Sequence, residues 1–108
     1  MEFKNLLKFI EDEDKRLIKY YGGYSDKEKR ILARTVKLTE ELGELCDEVL
    51  SYNSLQRQDK LNNREEENLS KEFADVVITT FLLAKAMDID IEKALGEKIE
   101  EIKKRYEK

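Results

Sequence analysis

The chain has no histidine, no proline, no tryptophan and a single cysteine among its 108 residues. Without histidine there is no imidazole base, no HExxH zinc helix and no ExxH di-iron pair. The lone thiol, Cys46, forms no intramolecular disulfide and fits a reducing compartment; its wheel position, past the apolar stripe, reads as a packing thiol. None of the four glycines lies in a GK[ST] context, which excludes a P-loop. No run approaches the roughly 20 apolar residues that cross a bilayer, and MEFKNLLKFIEDED carries acids where a secretory signal needs a basic start. A cytoplasmic protein is expected. The net charge of −4 and pI near 5.1 exclude a surface that works by neutralising nucleic-acid phosphates.

What is present is 43% charged and 40% hydrophobic, enough for one domain over residues 1–108 with a modest core that a second copy would complete. The missing proline and the abundance of Glu, Lys and Leu predict an all-α fold of four helices, a bundle completed by homodimerisation. The first runs from about Glu2 to Tyr20 and ends at Gly22-Gly23. Ser25 with Glu28 reads as a capping box opening a second helix to about Tyr52. Ser54 to Asn68 is polar and unpatterned, a loop or a frayed helical extension. The third helix covers about Leu69 to Met87; its VVITTF is β-branched enough to suit a strand, but the unbroken length and the lack of a pairing strand favour helix. Asp88 and Asp90 supply N-cap chemistry for a fourth helix from about Ile91 to Tyr106, with Ile91, Leu95, Ile99, Ile102 and Tyr106 in one stripe.

Acidic i,i+3 pairs are no commoner than so acidic a chain produces by chance, but two of them have an unusual setting. At about 100° per residue, Glu41, Glu44 and Glu48 border the apolar stripe of Ile31, Leu38, Leu42, Leu45 and Val49. On the third helix Glu72 and Asp75 point the same way as Thr79 and Leu82, toward an interior or an interface. Carboxylates kept from water cost several kcal/mol unless matched by cations. Lys37, one turn before Glu41, matches one of them. A hard divalent ion, Mg²⁺ or Mn²⁺, suits the rest, since oxygen donors from two facing helices converge on it readily. Gly43, costing on the order of 1 kcal/mol in mid-helix, suggests close approach of a neighbouring backbone or a ligand. Tyr20, Tyr21, Tyr24 and Tyr52 are read as packing anchors rather than base-stacking platforms, and Phe73 as packing into the core or an interface.

Glu40-Glu41-Leu42-Gly43-Glu44 followed by Glu72-Phe73-Ala74-Asp75 resembles the EExxE…ExxD signature of the MazG-like nucleoside triphosphate pyrophosphohydrolases. The segment FADVVITTFLLAKAMDIDIEKALGEKIEEIKKRY is similar to that family's ADVL-type helix, ID-containing turn and closing K-x-x-x-x-x-x-R-Y helix, so the likeness covers about residues 30 to 106. It implies that Glu41, Glu44, Glu72 and Asp75 bind Mg²⁺, and that Glu40 is the base for the attacking water. A nucleoside triphosphate would then be cleaved between its α and β phosphates, releasing pyrophosphate. It further implies a homodimer, in some relatives paired again. Lys98 and Arg105 are retained for phosphate contact, with Lys37 beside them as a substrate-binding candidate and Lys85 as a weaker one; Ile102 stands where many relatives have a substrate-contacting asparagine. Glu48 shares the metal face outside the signature. Two other readings stay open: a phosphoribosyl-ATP pyrophosphohydrolase, and a non-catalytic helical dimerisation module.

Overall fold

The computed structural model describes residues 1–21, 25–56 and 63–107. Four helices follow one another: α1 (Phe3–Tyr20), α2 (Lys27–Gln56), α3 (Asn63–Ala86) and α4 (Ile91–Lys104). No strand occurs among the described residues. The expected break at Gly22-Gly23 lies outside them, as do residues 57–62 of the polar segment; the rest of that segment extends α2 and α3 by about a turn or more each. VVITTF is helical. Its threonines suit a helix because their hydroxyls donate back to it, Thr79 to the Asp75 carbonyl at 2.6 Å and Thr80 to that of Val76 at 2.7 Å.

The caps correct two expectations by small shifts. Asp26, rather than Ser25, caps α2, its Oδ1 accepting from the Lys29 amide at 3.0 Å. Asp90 caps α4 as predicted, accepting from the Lys93 amide at 3.1 Å. Asp88 instead closes α3. It has φ of 57°, and the Ile89 and Asp88 amides return to the Ala84 and Lys85 carbonyls, the paired bonds of a Schellman end. An aspartate tolerates the left-handed backbone that glycine usually fills there. Its carboxylate is held by Lys27 at the start of α2, which ties the α3–α4 turn to the α2 entry.

The third helix is the hub. Among the described residues α1, α2 and α4 each pack on α3, while α1 and α2 meet mainly through one side chain. Arg34 of α2 is only 2% exposed. It donates to Asp14 Oδ1 of α1 at 2.6 Å and to the Leu82 carbonyl of α3 at 2.9 Å. Beside it, Ile10, Phe81 and Leu82 form the buried core, with Leu6, Leu7, Leu17, Ile78 and Ile91 packed around them and Phe3 edge-on to Phe81.

The core is small for the chain. The radius of gyration is 17.1 Å, against roughly 13 Å for a compact domain of this length. Large apolar side chains stay in water, among them Phe73, predicted to pack inside the chain or at an interface and 52% exposed here. Cys46 is exposed as well, so the packing thiol expected from the wheel is not formed within one chain. Among the described residues, no atom lies within 4 Å of the place of Gly43's missing Cβ, so no described backbone accounts for it.

Two tests follow from these contacts. Arg34→Ala leaves Asp14 and a helix carbonyl without their buried partner and is expected to cost about 3 kcal/mol or more in urea unfolding. A loss below 1 kcal/mol would contradict the clamp. The Lys27 ammonium, by hydrogen bond and charge, holds the Asp88 carboxyl below the ordinary aspartate range. Because the folded value is the lower one, the stability it contributes is present above the ordinary aspartate range and is lost as pH falls through the folded value. Wild type and Asp88→Asn should therefore differ in melting temperature at pH 7 and converge in strong acid.

Candidate functional site

The clamp at Arg34 and Leu82 sets the height of α2 against α3. The two helices run antiparallel, so moving seven residues along α2 to Glu41 and seven back along α3 to Asp75 reaches the same level, about 10 Å away. Three further residues on each helix reach Glu44 and Glu72. The spacing of both motifs thus follows from one register. Glu41, Glu72 and Asp75 each offer a carboxylate oxygen within 4.8 Å of the other two. Glu41 is 7% exposed, Glu72 half-buried and Asp75 exposed at the rim.

Local charge does not neutralise this group. Lys37 Nζ lies 3.1 Å from Glu41 Oε1 and 3.8 Å from Glu40 Oε2. Among the described residues, the second oxygen of Glu41 and one oxygen of Glu72 are buried without a hydrogen-bond donor. A buried acceptor left so costs about 1–3 kcal/mol, more when charged. Loss of water pushes the Glu72 carboxyl above its ordinary range, and the charges of Glu44, Asp75, Glu41 and Glu48 push it further. The hydrogen bond and charge of Glu41 raise Lys37 in turn.

The remaining candidates are placed less centrally. Glu44 and Glu48 are exposed and act on Glu72 by charge, outside the close group of three. Glu40 is exposed beside Lys37. Lys98 and Arg105 both pair with Glu101 on α4, at 3.1 and 3.9 Å, and among the described residues α4 does not pack on α2. Lys85 lines a different cavity, between α1, α3 and the α4 entry. Gly43 lies on the far side of α2 from the acids, so it makes no room for a ligand among them. Sequence reasoning passed over Arg34; the available signal was an arginine seven residues before Glu41, amid Ile31 and Leu38 on the inward face.

Below the acids, level with Lys37 and Thr79, a cavity of about 190 Å³ opens between α1, α2 and α3, lined also by Glu13, Leu17, Arg34 and Leu82. An acidic cluster on two helices, beside a cleft with an apolar floor and walls that carry Lys37, Arg34 and Glu13, can gather a hard cation and present it to a phosphorylated ligand.

No helix of the described residues is long and apolar enough to cross a membrane. No curated protein and no solved structure matches the chain significantly. The family described as the MazG nucleotide pyrophosphohydrolase domain matches residues 30–108, which contain α2 from Arg30 onward, α3 and α4 with every acid of the cluster. With well over half its length so matched, and with the two acidic motifs meeting across the α2–α3 seam, this chain belongs to the MazG nucleotide pyrophosphohydrolase family.

Proposed function

We propose that the protein is a Mg²⁺-dependent hydrolase, with Mn²⁺ as an alternative ion, that splits nucleoside triphosphates or deoxynucleoside triphosphates between the α and β phosphates and serves nucleotide-pool housecleaning in the cytoplasm. The observation that carries this is the convergence of Glu41, Glu72 and Asp75 around buried oxygens that lack donors. An all-oxygen donor set fits a hard divalent cation. Glu41, Glu72 and Asp75 would hold it with Glu44 beside them, and it would supply positive charge to the phosphate oxygens. Glu48 adds negative charge to the same group.

The chain's own groups supply the rest. Water adds across the α–β anhydride: its oxygen joins phosphorus, its proton passes to the Glu40 carboxylate, and the P–O bridge opens to give a monophosphate and pyrophosphate. Glu40 suits this role because it is exposed next to the cluster rather than buried within it. Lys37 stands where it can meet phosphate, whereas Lys98 and Arg105 are proposed contacts that rest on the family resemblance. α1 lies before the matched segment, yet Asp14 holds Arg34, which supports reading residues 1–108 as one working domain.

A second copy of the chain is the proposed completion of the bundle, with further pairing of dimers open to it. Leu32, Val36, Gly43 and Leu50 fall within about 40° on the outer face of α2, and the three large ones are 60–66% exposed. Ile99, Ile102 and Tyr106 leave α4 similarly uncovered. Such faces, together with the large radius of gyration, suit an obligate helical interface, and Gly43 would let two α2 helices approach closely.

In a panel of nucleotides with Mg²⁺, reading monophosphate and pyrophosphate separately, wild type should release pyrophosphate. Glu41→Gln, Glu72→Gln and Asp75→Asn should each lose at least about 100-fold in rate, as removal of a charge-stabilising group typically does. The same variants should melt no lower than wild type without metal, because a repulsion is gone, and should lose the stabilisation that Mg²⁺ gives wild type. Phosphoribosyl-ATP in the panel separates the related hydrolase; a protein with neither turnover nor a Mg²⁺-dependent melting shift would be an interaction module. Val36→Glu, placing a charge in the outer stripe of α2, should shift the sedimentation of the protein from dimer toward monomer; an unchanged sedimentation coefficient would remove that face from the interface.

A further inference from the structure

We propose that Lys37 is a built-in stand-in for the metal: its ammonium holds Glu41 while no divalent ion is bound, and is displaced by that ion toward the neighbouring cavity, where it meets the phosphates of the substrate. This rests on the metal site proposed above and adds a residue that couples metal binding to phosphate binding.

The geometry puts one lysine between two surroundings. Its ammonium sits 3.1 Å from Glu41 Oε1, on the most buried acid of the cluster, and the residue lines the cavity formed with Glu13, Leu17, Arg34, Thr79 and Leu82. Lys37 and Thr79 lie one helical turn from Glu41 and Asp75 in the same register, so the exchange needs a change of side-chain rotamer and no movement of backbone. The Lys37 side chain is 56% exposed, so it is not locked in place. The carboxylate it occupies is one of the three that a hard cation would recruit, and a divalent charge outcompetes an ammonium for a converging set of carboxylates.

This arrangement has a physical use. Without metal the ammonium moderates repulsion that the half-buried acids would otherwise carry in full. With metal bound, the released charge faces the cavity, and the cluster no longer repels an anion. A plain helix-surface salt bridge would do only the first of these.

The test is a calorimetric titration of MgCl₂, without nucleotide, into wild type, Lys37→Met and Lys37→Arg, each first shown by circular dichroism to be folded. Removing a competing, partly exposed charge should tighten Mg²⁺ binding about three- to tenfold in Lys37→Met, while Lys37→Arg stays near wild type. With Mg²⁺ saturating, inorganic pyrophosphate should bind Lys37→Met about tenfold more weakly than wild type. Unchanged or weaker Mg²⁺ binding in Lys37→Met, while wild type binds, overturns the stand-in role and leaves the metal site intact. Absence of Mg²⁺ binding in both proteins overturns the metal site itself and the inference with it.

Discussion

A single guanidinium sets the level at which this molecule's parts meet. Arg34 is buried where α1, α2 and α3 come together, with one nitrogen shared between a carboxylate of α1 and a carbonyl of α3. The carbonyl belongs to a helix interior, so the contact fixes height along α3 as well as proximity. Antiparallel geometry then propagates that height: Lys37 falls level with Thr79, Glu41 with Asp75 and Glu44 with Glu72. A slip of one residue would turn the neighbouring side chains by about 100° and disperse the acids. The cluster is therefore a consequence of packing two turns away rather than of any attraction among its members, which repel one another.

This division of labour explains why the two halves of the α2–α3 pair look so different. Toward α1 the seam is apolar, with Phe81 and Leu82 buried against Ile10. Toward the α2–α3 connection it carries carboxylates without enough donors. The favourable burial at one end must support the unfavourable charge at the other, and the small core leaves little surplus. Ligand that binds the folded state adds directly to its stability, so cations and a second copy of the chain would both stabilise a fold that one chain builds sparsely.

Much of this was legible in the sequence, for identifiable reasons. Helical spacing and the absence of proline predicted four helices, with bounds within about two residues except where the polar segment extends the end of α2 to Gln56 and the start of α3 to Asn63, because periodicity reports which face is apolar. Wheel angles placed Glu41, Glu72 and Asp75 beside buried positions, and Thr79 and Leu82 are indeed buried, with Glu41 buried, Glu72 half-buried and Asp75 exposed. What did not show was anything dependent on the third dimension. The capping preferences of Ser25 and Asp26, or of Asp88 and Asp90, are too alike for sequence to choose between neighbours, and the backbone decided. Gly43 was read as marking the approach of a backbone or a ligand, and among the described residues nothing lies within 4 Å of where its Cβ would be; a wheel gives a direction but not what lies there. Arg34 looked like one charge among many, because a buried arginine differs from a solvated one only in its partners.

Arg34 and Lys37 are separated by three residues on one helix and show why the two cationic side chains are not interchangeable here. A planar guanidinium with several donors can satisfy two acceptors at once and stays charged when dry, which suits a permanent clamp. An ammonium on a flexible stem is a point charge that can leave as easily as it arrives. The structure puts the first where water is excluded and the second at the rim, 56% exposed, on the acid that a metal would claim. Lysine in place of Arg34 would put a shorter side chain where both acceptors must be reached from within the core. A buried guanidinium and an exposed ammonium thus follow one another along α2, from the core toward the acids.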